Sequence, residues 1–157
     1  MTIINENDTA VMVVDVQEKL INAVFNKELV NKNAIIVVNT AKILNLPTII
    51  TEQYPKGLGL TISNIKEISD DTSVYFEKTS FNALNHEDIL CAIKNLNRKN
   101  IVLFGIETHI CVYQTAADLI ANGYEVEVLT DCVSSRTARN HEVGVQKMIQ
   151  LRTSYKC

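Results

Sequence analysis

The sequence predicts an α/β fold with a mainly parallel, doubly wound sheet. Three observations support this prediction. Strand-like and helix-like segments alternate along nearly all of the 157 residues, which is the pattern of repeated βαβ units. The first strand-like run, AVMVVDV (10–16), is almost wholly apolar, as expected of a strand buried on both faces. Right-handed crossovers with helices on both faces then favour the strand order 3-2-1-4-5.

The first long helix is predicted from Glu28 to Leu44, where apolar residues recur at helical spacing. Its expected apolar stripe consists of Leu29, Val30, Ile36, Val37, Ile43 and Leu44. After Pro47, the segment TIITE (48–52) is predicted to be the second strand. The following QYPKGLGLT has the proline and glycine content of a loop.

The third strand is predicted at SVYFEK (73–78), ahead of a second helix. Asn85 is expected to cap that helix, because asparagine favours the N-cap position. Glu87 and Asp88 would then lie in its first turn, where acidic side chains complement the helix dipole. The expected buried face of this helix is Ile89, Ile93 and Leu96.

The second half of the chain continues the alternation. NIVLFGI (100–106) is a fourth buried strand and YEVEVLTDC (124–132) a fifth. Between them lies a helix whose buried side is expected to hold Val112, Ala116 and Leu119. A last helix carries Val145, Met148 and Ile149.

Composition limits the possible functions. The apolar fraction of 46% and net charge of −3 fit one globular domain over residues 1–157. The negative net charge gives no indication of a basic surface that would bind nucleic acid. No apolar stretch reaches the roughly 20 residues that span a membrane, and the N-terminus reads as no secretory signal. The scattered cysteines, Cys91, Cys111, Cys132 and Cys157, favour a reducing cytoplasmic location.

Three chemically distinct side chains are predicted to meet at the switch point between strands 1 and 4. Asp15 ends strand 1, Lys78 ends strand 3, and Cys111 follows strand 4 at the start of a helix. Open α/β sheets bind ligands at this edge. Taken singly, the aspartate is as readily a turn residue, the lysine a solvated charge and the cysteine core packing. Their convergence favours chemistry.

The chemistry that such a trio supports is acyl transfer. A nearby ammonium and a helix N-terminus lower a thiol pKa from about 8.5. A carboxylate within hydrogen-bonding reach can take the thiol proton and return it to a leaving amine. Backbone N–H groups at the turn after strand 4 can stabilise an oxyanion. The sequence therefore predicts amide hydrolysis through a thioester on Cys111.

These residues lie in segments that resemble the isochorismatase-like cysteine hydrolases. The resemblance extends from about residue 8 to about residue 151. The segments that carry it are VVDVQ, FEKTSFNAL and GIETHICVYQTAADL. Two further segments, TEQYPKGLG and DCVSSRT, are similar to the isochorismatase domain-containing subgroup.

The resemblance implies a Rossmann-like three-layer α/β/α sandwich and a triad at Asp15, Lys78 and Cys111. It also implies a cis peptide bond at Ile106–Glu107, with backbone groups of Ile106, Glu107 and Ile110 or Cys111 around the substrate oxygen. A small-molecule substrate and a homo-oligomer are implied as well. Candidate substrate-binding residues are Gln17, Tyr54, Phe81, His109 and Tyr113, each of which could equally be a packing or surface residue.

Two departures from the family pattern matter. The loop after strand 2 contains no histidine, and His86, His109 and His141 lack ligand-like spacing, so we expect no catalytic metal, no cofactor and no action on nicotinamide. Family members usually continue into a sixth strand and a final helix. Here the chain stops at RTSYKC, so we expect shortened C-terminal elements and an exposed sheet edge.

Three other functions stay open. A catalytically impaired interaction or scaffold protein could retain this fold and triad. A redox-sensing thiol is less favoured, because no resolving cysteine lies near Cys111. A vinyl-ether hydrolase acting on isochorismate-type substrates would not rely on a cysteine nucleophile, so Cys111 favours amides. Cys91 and Cys132 are expected to be inert, and Cys157 exposed.

Overall fold

One five-stranded sheet organises the molecule, and the computed structural model describes residues 5–154 of the chain. All neighbouring strands are parallel, in the order β3-β2-β1-β4-β5. The strands are β1 (Thr9–Val14), β2 (Thr48–Gln53), β3 (Ser73–Lys78), β4 (Asn100–Ile106) and β5 (Glu125–Ser134). The predicted fold class and strand order are confirmed.

Seven α-helices are found in the described part of the chain, and they surround the sheet. They are α1 (Glu18–Ile21), α2 (Lys27–Ile43), α3 (Pro55–Leu58), α4 (Ser63–Ile68), α5 (Glu87–Asn95), α6 (Tyr113–Ala121) and α7 (Ala138–Ser154). Two 3-10 turns, Glu6–Asp8 and Ala83–Asn85, and one π-helical turn, Thr108–Val112, complete the structure. None of the helices within residues 5–154 has the length and apolar character needed to cross a bilayer.

The apolar stripe predicted for α2 is largely wrong. Leu29, Ile36 and Ile43 are 48%, 52% and 78% exposed. The face that packs against the core instead consists of Val30, Ala34, Val38 and Ala41. Small alanines let the helix approach the sheet closely, whereas the prediction gave most weight to the large side chains.

The start of α5 is one residue later than a cap at Asn85 requires. His86 occupies the N-cap position without a side-chain cap, and Asn85 ends the preceding 3-10 turn. That turn is capped by Asn82, whose side chain accepts a hydrogen bond from the Leu84 N–H at 3.0 Å. Asn82 thus caps the 3-10 turn, and the helix α5 begins after it without a side-chain cap.

The loop and the C-terminal segment also differ from expectation. QYPKGLGLT contains the short helix α3, with Pro55 in its first turn, where proline fits because no intrahelical donor is needed. Helix α7 continues through Ser154, so residues 152–154 are helical and do not begin a sixth strand. Of the three apolar residues named on this helix, Met148 is buried and Ile149 is 62% exposed. Cys157 lies outside the described residues.

The close approach of β1 and β4 positions the site. Val14 pairs with Gly105, and a Cβ on Gly105 would lie 2.0 Å from the Val14 carbonyl oxygen, with φ at +139°. Only glycine fits such an approach. The residues that follow these two positions, Asp15 and Ile106, therefore lie at neighbouring strand ends.

Candidate active site

A buried ion pair joins the ends of β1 and β3. The Lys78 Nζ donates to Asp15 Oδ2 at 2.6 Å, and both side chains are 0% exposed. Asp15 lies in the left-handed region, with φ at 53°, which aspartate tolerates better than most residues. Its other oxygen, Oδ1, accepts from the Thr51 hydroxyl at 2.7 Å. Both carboxylate oxygens are thus held in place.

The Lys78 ammonium also donates hydrogen bonds to residues next to the ion pair. Besides Asp15, its Nζ contacts Gln53 Oε1 at 2.7 Å and the Ser80 carbonyl oxygen at 3.1 Å. A lysine ammonium has three N–H donors, so these partners saturate it. Lys78 lies behind Asp15 and does not reach the cavity wall, which differs from the expectation that it points into the crevice.

Cys111 is placed by the π-helical turn between β4 and α6. The turn contains Thr108, Cys111 and Val112 as buried residues, and Cys111 is 7% exposed. Its thiol lies near the Asp15 carboxylate, since the charge of that carboxylate acts to raise the pKa of the thiol, and both residues line one cavity. The structure therefore brings the three predicted residues together, in the spatial order lysine, aspartate, cysteine.

The electrostatics of Cys111 differ from the sequence-based expectation. Burial, together with the negative charge of Asp15, raises the pKa of the thiol to about 12, although the Lys78 charge acts in the lowering direction. Burial also raises the pKa of Asp15, against the lowering effect of Lys78. The thiol is therefore neutral near pH 7, and a base must accept its proton when it reacts. Burial outweighs the nearby ammonium.

The Ile106–Glu107 peptide bond is cis, at the position that the family resemblance implies. A backbone hydrogen bond from Glu107 to Cys111 acts to lower the thiol pKa, so this amide points at the sulfur. The Ile110 N–H instead donates to the Glu107 carbonyl oxygen at 3.1 Å. Of the predicted backbone donors, the Glu107 amide is thus directed at the reacting atom, and the Ile110 amide is already used.

Asp15 and Cys111 both line a cavity of about 330 Å³. Its walls are mostly apolar, and Phe81, Ile106, Glu107 and Ile110 are among them as predicted. Further wall residues not predicted from sequence are Lys19, Leu20, Ala23, Gln53, Leu58 and Arg136. This volume suits a small molecule.

Four of the predicted substrate-binding residues do not line this cavity. Gln17 is buried and holds the loop after β2, because its Nε2 donates to the Gly59 carbonyl oxygen at 2.6 Å and its Oε1 accepts from the Gln53 N–H at 2.7 Å. Tyr54 is 55% exposed.

His109 and Tyr113, the other two of these residues, make packing contacts. The His109 Nδ1 lies 3.0 Å from the Ser135 hydroxyl. The Lys147 ammonium lies 5.0 Å from the ring centre of Tyr113. Their positions in the π-turn and at the start of α6 turn both side chains toward α7 and the end of β5.

Sequence reasoning missed the ion pair between Glu107 and Arg136. The Arg136 Nε donates to Glu107 Oε1 at 2.6 Å. The sequence pattern assigns a role to the backbone of Glu107 alone, and it assigns none to the arginine of DCVSSRT. Thr51 and Gln53, which orient Asp15 and Lys78, were also missed. The sequence could have indicated these two residues, because both are polar and lie at the C-terminal end of β2, the edge of the sheet where a ligand is predicted.

The other described cysteines lie away from this site. Cys91 is exposed, Cys132 is buried, and both are free thiols. Burial and the neighbouring Asp131 raise the pKa of Cys132 to about 12. Within the described part of the chain, no group of three or more histidine, cysteine, aspartate or glutamate side chains is arranged to hold a metal ion.

The family model for the isochorismatase domain matches residues 9–154. A secreted isochorismatase effector of Phytophthora sojae is 37% identical over 147 residues, covering 92% of this chain and 70% of that protein. An isochorismatase domain-containing protein of Xenopus laevis is 39% identical over 150 residues, covering 94% of this chain and 70% of its own length.

Solved structures share the fold. One described as a ribonuclease of Caenorhabditis elegans has a TM-score of 0.89 at 36% identity, covering 94% of this chain and 76% of that one. An octameric hydrolase of unknown specificity from Escherichia coli has a TM-score of 0.90 at 28% identity, covering 94% and 74%. The chain therefore belongs to the isochorismatase family of hydrolases.

Proposed function

We propose that the protein is a metal-independent cysteine hydrolase that cleaves a small amide or related acyl compound through a thioester. The observation that carries this proposal is that the Cys111 thiol and the buried Asp15 carboxylate line the same cavity, close enough for the carboxylate charge to act on the pKa of the thiol. A neutral thiol paired with an oriented carboxylate is the arrangement needed to generate a thiolate only as the substrate is attacked.

The reaction follows from that pairing. Asp15 takes the thiol proton as the Cys111 sulfur attacks the amide carbonyl carbon, and the backbone N–H of Glu107 stabilises the developing oxyanion. The C–N bond then breaks, and Asp15 returns the proton to the leaving nitrogen. Water next attacks the thioester while Asp15 accepts its proton. The sulfur leaves, recovers that proton, and the carboxylic acid product is released.

Lys78 has a supporting role in this scheme. Its charge opposes the rise in the Asp15 pKa that burial produces, and its fixed contacts hold the carboxylate in place. Lys78 does not touch the substrate in this proposal, since it does not line the cavity. It is a positioning residue.

Ammonia release from a panel of small primary amides tests the nucleophile. The wild type should turn over part of the panel, and Cys111→Ala should lose that activity. Cys91→Ala is the matched control, because Cys91 is a free, exposed thiol that does not line the cavity. Intact-mass spectrometry of rapidly quenched wild type should show the acyl adduct. Equal turnover by wild type and Cys111→Ala would overturn the assignment.

The same panel separates the other functions. Because a structural neighbour is described as a ribonuclease, a single-stranded RNA oligomer belongs in it. RNA cleavage that survives Cys111→Ala, without amide turnover, would contradict the proposal. No turnover of any compound would favour the interaction-protein alternative. Dialysis against a chelator should leave amide hydrolysis unchanged.

A homo-oligomeric state and a cytoplasmic location stay predictions within this proposal. The octameric state of the Escherichia coli neighbour supports a homo-oligomer. A relative from Phytophthora sojae is described as secreted, so a cytoplasmic location is not common to all relatives. Light scattering coupled to size-exclusion chromatography measures the mass in solution. A monomer at all concentrations would contradict the predicted assembly.

A further inference from the structure

Arg136 lies at the cavity wall, anchored along one edge. It lies two residues after the end of β5 and lines the same cavity as Cys111. Its side chain is 66% exposed, whereas its partner Glu107 is 7% exposed. The contact is made by Nε, which donates to Glu107 Oε1 at 2.6 Å. The guanidinium is thus fixed at its inner edge and open toward the cavity mouth.

The terminal nitrogens of Arg136 keep their donors available. Within the described residues, the hydrogen bond from Nε to Glu107 is the one that Arg136 makes. A guanidinium has five N–H donors in a rigid planar arrangement, so four remain on its two terminal nitrogens. Paired donors of this kind match the two oxygens of a carboxylate.

The other cations near the cavity are less suited to that task. Lys78 is buried and saturated by its partners. Lys19 lines the cavity, but its Nζ donates to the Gly57 carbonyl oxygen at 2.8 Å, and an ammonium offers no planar pair of donors. Arg136 is therefore the group here that can bind an anion through two hydrogen bonds.

Glu107 links this cation to the reacting sulfur. Its backbone N–H is directed at Cys111, and its side chain holds Arg136. The distance between the two sites is thus set by one residue. Leu20, Ile106 and Ile110 contribute apolar surface to the same cavity. A ligand that reaches both sites needs an acyl group at one end, an anion at the other and a short apolar spacer.

We propose that Arg136 determines specificity by binding a substrate carboxylate, so that the substrate is a short aliphatic amide with a carboxylate at its far end. This inference rests on the function proposed for Cys111. It adds the chemical class of the substrate and the residue that selects it.

Binding to Cys111→Ala tests the inference without turnover. Isothermal titration is carried out with succinamate and glutaramate and with their methyl esters, which are neutral and of similar shape. At least one carboxylate should bind about tenfold more tightly than its ester, the usual scale for a charge-assisted bidentate pair. In Cys111→Ala/Arg136→Gln, the carboxylate and the ester should bind equally. Arg139→Gln in place of Arg136→Gln is the matched control, because Arg139 is exposed and does not line the cavity.

Removing Arg136 also leaves the buried Glu107 with the His109 Nδ1, 3.6 Å from its Oε2, as its remaining contact, which a further variant addresses. In Cys111→Ala/Glu107→Gln/Arg136→Gln that buried charge is absent, and the carboxylate should still have no advantage. Equal binding of carboxylate and ester in Cys111→Ala would overturn the inference, as would failure of both to bind. A carboxylate preference that survives Arg136→Gln would also overturn it.

Turnover separates this inference from the function on which it rests. If the wild type hydrolyses the carboxylates and their esters at equal kcat/KM, the cysteine hydrolase stands and the role of Arg136 fails. If the carboxylates bind in an Arg136-dependent way but release no ammonia, the binding site stands and amide hydrolysis fails.

Discussion

Two effects act on the pKa of the Asp15 carboxyl in opposite directions. Lys78 stabilises its charge through a 2.6 Å contact, while burial raises its pKa. The same carboxylate then raises the pKa of the Cys111 thiol. The proton therefore rests on sulfur near pH 7, and the carboxylate is held in place by Thr51 and Lys78.

Asp15→Asn should separate thiol ionisation from catalysis. Without the carboxylate charge, burial is the main effect that still opposes the lowering by Lys78, so the thiol pKa should fall below about 12. Amide turnover should be lost nonetheless, because no group donates a proton to the leaving amine. The ultraviolet absorbance of the thiolate, titrated against a Cys111→Ala background, measures the pKa. An unchanged thiol pKa in Asp15→Asn would contradict this prediction. Asp88→Asn, at an exposed position on α5, is the control and should leave the thiol pKa unchanged.

The pH dependence of kcat/KM should have an acid limb and no limb at the ordinary pKa of a thiol. Activity needs Asp15 ionised, so the rate should rise with pH through the raised pKa of that carboxyl. The Cys111 pKa of about 12 keeps the thiol protonated well past neutrality. The rate should therefore stay level there, measured with an amide that does not itself titrate. A change in the rate near the ordinary thiol pKa of about 8.5 would contradict this electrostatic account.

At the scale of the element, α2 presents two apolar faces and buries the one with smaller side chains. Val38 is 1% exposed, whereas Ile36 is 52% exposed. Periodicity alone could not choose between the faces, because both repeat at helical spacing. The structure buries the face that carries Ala34 and Ala41 beside Val30 and Val38.

Val38→Ala and Ile36→Ala should differ in their effect on stability. Loss of buried methyl groups at position 38 should lower the free energy of unfolding by about 2 kcal/mol. Ile36→Ala should change it by less than about 0.5 kcal/mol, as exposed positions usually do. Urea denaturation followed by circular dichroism compares the two. A loss at Ile36 as large as at Val38 would mean that this face is covered in the assembled protein.

At the scale of the whole molecule, the last helix supports the turn that carries the nucleophile. Gly144 on α7 lies against the backbone of the π-helical turn, and a Cβ there would lie 2.8 Å from the His109 nitrogen and from the Thr108 carbonyl carbon. Segments distant in sequence are thus packed backbone to backbone beside the site.

Gly144→Ala should lower both stability and turnover. In an isolated helix this change is favourable by about 1 kcal/mol, but here the methyl group must displace backbone atoms of the turn that places Cys111. We expect a loss of about 1–3 kcal/mol together with a lower kcat. Thermal unfolding and ammonia release measure the two effects. Gln146→Ala, at an exposed position of the same helix, should change neither. A stabilised, fully active Gly144→Ala would show that the turn tolerates displacement.

The sequence by itself determined the α/β class, the strand order and the edge at which Asp15, Lys78 and Cys111 meet. These follow from local pattern, because βαβ units, right-handed crossovers and parallel strand ends leave few arrangements.

Tertiary structure decided the ionisation of Cys111, the buried face of α2 and the pairing of Glu107 with Arg136. Each of these depends on burial and on contacts between segments far apart in the chain. Sequence spacing does not specify how deeply a thiol is buried or which of two charges lies closer to it. The predicted lowering of the thiol pKa was therefore reversed, although the residues involved were found.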